Sequence, residues 1–179
     1  MNLKQTKQPV EMLDKHATLK KEGLHLLVKL TFIILVITGV FSFVFGWTKV
    51  SDDTMSSALR QGDVLLYYRL DKDILAGDVV VIEINDDLQV RRVVATSGDR
   101  VDITEDGLMI NGALQFEPSI INETLPYVEG IVFPLTLKKD EVFLLADKRT
   151  GAQDSRNYGA IKIQHIKGKV IHLVRRNNI

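Results

Sequence analysis

The chain is 179 residues long and balances 23 basic against 23 acidic side chains. Zero net charge argues against a nucleic-acid partner, whose phosphates call for a clustered basic surface. The absence of cysteine excludes a disulfide framework and a thiolate metal site, and no metal or other cofactor is expected.

Residues 1–23 are polar, and here Lys4, Lys7, Lys15, Lys20 and Lys21 outnumber Glu11, Asp14 and Glu22. Residues 24–48 read as a membrane anchor. The stretch 30–47 is uncharged and rich in Ile, Phe, Val and Leu, and with 24–28 ahead of it approaches the roughly 20 residues that cross a bilayer. Only Lys29 interrupts the run. A buried core helix needs a polar face at 3.6-residue spacing, and Thr31, Thr38, Gly39 and Ser42 are too few and too weakly polar to make one. No small-residue cleavage pattern precedes Phe43, Val44, Phe45, Gly46 and Trp47, so the segment is expected to stay attached. By the positive-inside rule the lysines place the N-terminus in the cytoplasm, with Trp47 as an interfacial anchor on the far side. Residues 49–179 are then an extracytoplasmic domain.

Short apolar runs at 64–68, 79–84, 88–94, 101–103, 108–110, 142–145 and 169–174 predict strands. Turn chemistry separates them, including Gly62-Asp63, Gly77-Asp78, Gly98-Asp99, Asp106-Gly107 and Asn111-Gly112. Short helices are predicted only at 55–60 and, more weakly, at 162–166. Residues 118–133, with Pro118, Pro126 and Gly130 and then Pro134, read as an irregular excursion from the sheet. The expected fold class is mainly β, preceded by one transmembrane helix.

Three segments in the exported part carry a resemblance. The first contains Thr54, Met55, Leu59, Gly62 and Asp63; the second Arg91, Arg92, Val93, Gly98 and Asp99; the third Asp147, Arg149, Asp154, Ser155, Arg156 and Gly159. In this order, behind one anchor, they resemble type I signal peptidase (family S26), whose segments run S-M-x-P-T-L then G-D, K-R-V-I-G-x-P-G-D, and G-D-N-R-x-x-S-x-D-S-R-x-x-G. The resemblance implies a serine nucleophile and a lysine base, but Thr54 and Arg91 stand at those positions. Asp52 replaces a glycine two residues before the nucleophile, and Ser57 and Ala58 replace the proline and threonine. Ala146, Lys148 and Ala152 replace a glycine, an asparagine and the serine that supports the lysine.

A serine–lysine peptidase needs a neutral amine, so burial must lower the lysine pKa from about 10.4 towards neutrality. Arginine stays protonated and can only donate hydrogen bonds. Threonine attacks carbonyls elsewhere with an N-terminal amine as base, which an internal Thr54 lacks. Lys72, Lys148, Asp52 and Asp53 are substitute bases only if the fold brings them beside Thr54. Ser51, Ser56 and Ser57 read as turn or cap residues, and a partial oxyanion hole is expected at the Thr54 backbone N–H. Met55, Gly62, Asp63, Arg92, Gly98, Asp99, Asp147, Arg149, Asp154, Ser155 and Arg156 are expected to support the fold or cleft.

These readings point to a membrane-anchored, catalytically degenerate member of the family acting as a non-proteolytic assembly factor. It is similar to the degenerate signal peptidase-like proteins of Gram-positive pilus gene clusters. The partners so implied are the lipid bilayer, exported proteins or their signal peptides, and a pilin with its sortase. The alternative is an active type I signal peptidase with an atypical dyad.

Overall fold

The computed structural model describes residues 8–118, 120 and 122–175, with side chains from residue 20 onward. Two units are distinct along the chain, residues 1–43 and residues 44–179.

The first unit is dominated by helix α1 (Gln8–Val44). Its stretch Lys20–Val44 has a mean hydropathy of 2.4 in its most apolar window, and none of that window is buried within the protein. From Leu24 to Phe43 the Leu, Ile and Phe side chains are exposed, which matches a lipid environment by length and composition. Thr31 and Thr38 turn their hydroxyls back onto the carbonyls of Leu27 and Ile34, which hides two of the few polar groups along it. The helix ends at Val44 rather than at residue 48. Phe45 to Lys49 instead alternate in burial as a strand paired with Val64 to Tyr68, and that pairing satisfies backbone groups an extended anchor helix would have held internally.

The second unit is mainly β, as expected. Its strands are β1 (Phe45–Lys49), β2 (Val64–Tyr68), β3 (Val79–Ile84), β4 (Asp87–Ala95), β5 (Arg100–Thr104), β6 (Gly107–Ile110), β7 (Ala113–Leu114), β8 (Leu135–Thr136), β9 (Glu141–Leu145), β10 (Ile161–Lys162) and β11 (Ile166–Val174). One antiparallel sheet has the order β1-β2-β11-β3-β4-β9-β10; a smaller one has β7-β6-β5-β8. The long C-terminal β11 therefore closes the sheet by inserting between β2 and β3.

The continuous apolar runs of β3 and β9 are explained by burial on both faces. In β3, Val80 and Ile82 enter a core with Val93, Val142, Leu144 and Ile166, while Val81 enters another with Met55, Leu59, Leu65 and Tyr67. In β9, Phe143 and Leu145 face a third core with Val101, Ile103 and Leu108 of the small sheet. Arg91 sits in the middle of β4, opposite Val80, and is 2% exposed.

Two helical expectations are corrected. Residues 55–60 close a single turn, with Ala58 and Leu59 N–H both donating to the Met55 carbonyl, before Gly62 takes the chain to positive φ. At 162–166 the structure holds a 3-10 turn, Ile163–His165, leading into β11. A short helix that was not expected, α2 (Ser155–Tyr158), is capped by the Asp154 side chain and begins in the third family segment.

Candidate functional site

The Gly-Asp pairs at 62–63, 77–78 and 98–99, of which the first and last belong to the first two segments, are one backbone device used repeatedly. Gly62, Gly77 and Gly98 have φ of 95°, 96° and 90°, a region that costs a residue with a Cβ. In each case the following Asp N–H closes a turn onto the carbonyl three residues back, at Arg60, Leu75 and Thr96. Its carboxylate then accepts from that same residue's N–H, each time at 2.9 Å. Asp63 is also paired with Arg175, and Asp99 with the Asn111 amide. The Gly98-Asp99 turn serves the small sheet, where Gly98 N–H meets the Leu137 carbonyl.

The turn ahead of Gly62 presents Thr54, and β4 presents Arg91, so the two family positions do meet. Arg91 Nη1 donates to Thr54 Oγ1 at 3.1 Å. The Thr54 hydroxyl in turn donates to Asp52 Oδ1 at 2.7 Å, and the Thr54 backbone N–H reaches the same oxygen at 3.0 Å. The N–H expected to remain as a partial oxyanion hole is therefore already engaged by Asp52, which is exposed. Arg91 Nε and Nη2 both donate to the Gln153 carbonyl, at 2.9 and 2.7 Å, and Nη1 also donates to the Val90 carbonyl at 2.6 Å. The Tyr158 hydroxyl is buried near Arg91, and burial pushes its pKa up to about 12 against the opposing charge of that guanidinium.

Asp147 joins all three segments. Its carboxylate accepts from Arg92 Nε and Nη2 at 2.8 and 2.7 Å, a two-point pair, and from Ser57 Oγ at 2.7 Å. That pairing holds the Arg92 guanidinium pKa above its ordinary value despite partial burial. Met55 is buried with its sulfur 3.4 Å from the Asp147 N–H, and Lys148 N–H donates to the Thr54 carbonyl at 2.8 Å. Ser57 was expected to act as a turn or cap residue; its hydroxyl instead reaches across to this carboxylate. The Lys148 ammonium points to Asp53, 2.5 Å away, not to the Thr54 hydroxyl. Lys72 donates to the Ile166 carbonyl.

Behind this layer lie two fully covered arginines. Arg156 pairs with Asp154 through Nε and Nη2, both at 2.9 Å, and Asp154 also accepts the N–H groups of Arg156 and Ala146. Ser155 Oγ accepts the Leu144 N–H of β9 at 3.0 Å. Arg149 donates to the Ala146 carbonyl, the Glu117 carboxylate and Thr124 Oγ1. Burial lowers its pKa and the Glu117 charge opposes the fall.

The irregular excursion packs on these arginines. Arg156 lies over the Tyr127 ring at 4.2 Å from its centroid, the Tyr127 hydroxyl bonds the Arg149 and Ala152 carbonyls, and Ile131 N–H bonds the Arg156 carbonyl. Glu117, Thr124, Tyr127 and Gln153 were not singled out by sequence, whereas Asp52, named as a substitute base if the fold brought it beside Thr54, is brought there. The four missed residues carried no readable signal, while an Asp two residues before a Thr, as at Asp52, favours a side-chain-to-backbone turn. Among the described residues no group of His, Cys, Asp or Glu side chains is arranged to hold a metal.

A hydroxyl on a turn, faced by a basic side chain from the neighbouring sheet and set in a β domain that follows an apolar helix, is the layout of a membrane-anchored peptidase scaffold. The chain belongs to the signal peptidase family: the family described as signal peptidase, peptidase S26, matches residues 24–174. It is similar to signal peptidase I of Bacillus caldolyticus, 29% identical over 151 residues that span 76% of this chain and 83% of the relative. Signal peptidase IB of Staphylococcus aureus strain Mu50 is 30% identical over 177 residues, spanning 85% and 89%. Among solved structures, a signal peptidase I from Enterococcus faecalis V583 aligns with a TM-score of 0.46 and 22% identity, over 55% of this chain and 97% of that one.

Proposed function

We propose that this chain holds exported polypeptides without cutting them, as a non-proteolytic accessory factor in the assembly of surface proteins. It is a pseudoenzyme tethered by the apolar helix, with its N-terminus in the cytoplasm and residues 49–179 outside. One observation carries the reading: Arg91 Nη1 donates to Thr54 Oγ1 at 3.1 Å. The position that must accept the nucleophile's proton is filled by a group that can only give one. Exported proteins or their signal peptides are the expected ligands. Pilus polymerisation, with a pilin and a sortase as partners, is the particular process proposed on the missing dyad. An extended segment added to a sheet edge is the expected mode of capture.

A specific observation favours a second reading, an active type I signal peptidase with an atypical dyad. Asp52 Oδ1 already accepts the Thr54 hydroxyl proton at 2.7 Å. Carboxylates as a class are far weaker bases than neutral amines, so the first reading is preferred. Incubating the full-length protein in detergent with a signal-peptide-bearing preprotein separates the two. No cleavage beside an active signal peptidase control supports the holding role, whereas cleavage abolished by Thr54→Ala sinks it. Co-purification with a pilin or a sortase then tests the partners.

A further inference from the structure

We infer that the site at Thr54 and Arg91 binds a peptide carboxylate, and that Asp52 occupies that carboxylate's place in the unliganded protein. The inference rests on the proposal that exported chains are held there uncut. Its first support is a charge left unbalanced. Arg91 is 2% exposed, and its four hydrogen bonds end on the Gln153 carbonyl twice, the Val90 carbonyl and the Thr54 hydroxyl, all of them uncharged. Arg92, Arg149, Arg156 and Arg175 each pair directly with a carboxylate, and among the described residues Arg91 has no such pair. A buried cation without a counter-ion is costly, and an arriving anion relieves that cost.

The second support is the group already standing at the site. The carboxylate of Asp52 approaches Arg91 through one intermediary, taking the Thr54 hydroxyl at 2.7 Å while that hydroxyl accepts from Arg91 at 3.1 Å. The same carboxylate oxygen takes the Thr54 N–H at 3.0 Å. One oxygen anion thus satisfies two donors in a row backed by a guanidinium, which is a built carboxylate receptor with an internal tenant. Asp52 is exposed, so rotation about its side chain vacates the donors without unfolding anything. Two donors that meet on one oxygen suit a single carboxylate, such as a chain terminus or one acidic side chain. A free chain terminus is what remains on a polypeptide after another peptidase has cut it.

The test uses full-length protein in detergent and fluorescein-labelled heptapeptides ending in Ala-Leu-Ala, prepared as the free acid, as the terminal amide, and as an amide carrying one internal glutamate. Fluorescence anisotropy is expected to show one of the carboxylate peptides bound about tenfold more tightly than the plain amide, the worth of one charge-assisted contact. Preference for the free acid identifies a chain terminus, and preference for the glutamate peptide identifies a side chain. Asp52→Ala is expected to tighten the preferred carboxylate peptide about threefold or more and leave the amide unchanged, since it removes the competing tenant. Arg91→Gln is expected to erase the preference, and circular dichroism confirms its fold; Arg91→Lys, which keeps the charge, is expected to retain part of it. Equal binding of all three peptides overturns the carboxylate inference while leaving the holding role standing. No binding of any peptide overturns both.

Discussion

Ser57 and Asp147, ninety positions apart, are joined by a 2.7 Å hydrogen bond that ties the turn carrying Thr54 to the start of the third family segment. The residue at position 57 is one of the departures from the family pattern, and the departure builds a contact that a proline there has no donor to make. Ser57→Ala is expected to lower stability by about 1 kcal/mol, since the carboxylate keeps both Arg92 bonds and the hydroxyl site is open to water. Thermal melts followed by circular dichroism check this, and a loss as large as that of a core deletion would show that the turn depends on this bond alone.

The ion pairs divide by burial. Asp154→Ala leaves the Arg156 guanidinium without its carboxylate in a site that excludes solvent, and is expected to cost about 3–5 kcal/mol or prevent folding. Asp53→Ala removes the partner of Lys148 at the exposed surface and is expected to leave the melting temperature unchanged. Equal losses from the two variants would contradict the assignment of the third segment to the interior.

Gly130 marks where the excursion meets Arg156. A Cβ built there would lie 2.4 Å from the Arg156 carbonyl oxygen and 3.2 Å from Tyr127. Gly130→Ala is expected to lift the excursion away and to cost about 1–3 kcal/mol. Faster hydrogen exchange at the Ile131 N–H, which bonds that carbonyl, is the local readout.

Acid reports on the far end of the fold. The Arg175 guanidinium beside buried Asp63 holds that carboxyl below the usual carboxylate range, with burial opposing the shift. An unfolded aspartate takes up its proton near about pH 3.9 and the folded one only at lower pH, so the unfolded state binds more protons between those values. The stabilisation from this pair is complete above about pH 4 and is lost as pH falls through the folded value. Arg175→Gln is therefore expected to lower the melting temperature at pH 7, with the deficit shrinking below about pH 4. A deficit constant down to pH 2 would assign the effect to packing instead.

Restoring the dyad is the complementary chemical experiment. If the chain holds without cutting as proposed, Thr54→Ser with Arg91→Lys is expected to introduce preprotein cleavage, and adding Asp52→Gly is expected to raise it by freeing the N–H at position 54 to stabilise an oxyanion. Removing one such donor typically changes rates by about a hundredfold, which sets the scale of the increase. A triple variant no faster than the double would place Asp52 outside the path of the reaction.

The strands at 64–68 and 79–84 were legible to the residue because turn chemistry bounds each run. β1 was not, because Phe45 and Trp47 continue the apolar composition of the anchor and five residues give no distinguishing period. α2 is a single turn, too short for periodicity, although Asp154 and Asn157 form a capping box that three-residue spacing hints at. In the site, the family pattern named positions 54 and 91, but the sequence could not place Arg91 relative to Thr54; the structure sets them in hydrogen-bond contact. The carbonyl of Gln153 that orients Arg91 could not be foreseen, since a backbone acceptor leaves no trace in side-chain identity. The grip of Tyr127 and Glu117 on the two buried arginines was equally hidden, because those contacts exist only between segments distant in sequence.

The thrice-used Gly-Asp turn has a bearing on how catalytic status is read in this family. Each copy is held by its own local geometry, independent of whether a hydroxyl nearby attacks anything, so losing the chemistry relaxes no demand on it. Four of the letters by which such a chain is recognised, Gly62, Asp63, Gly98 and Asp99, are therefore instructions for bending backbone. A match on those letters reports that the backbone bends as the family's does, and says nothing of the chemistry at positions 54 and 91.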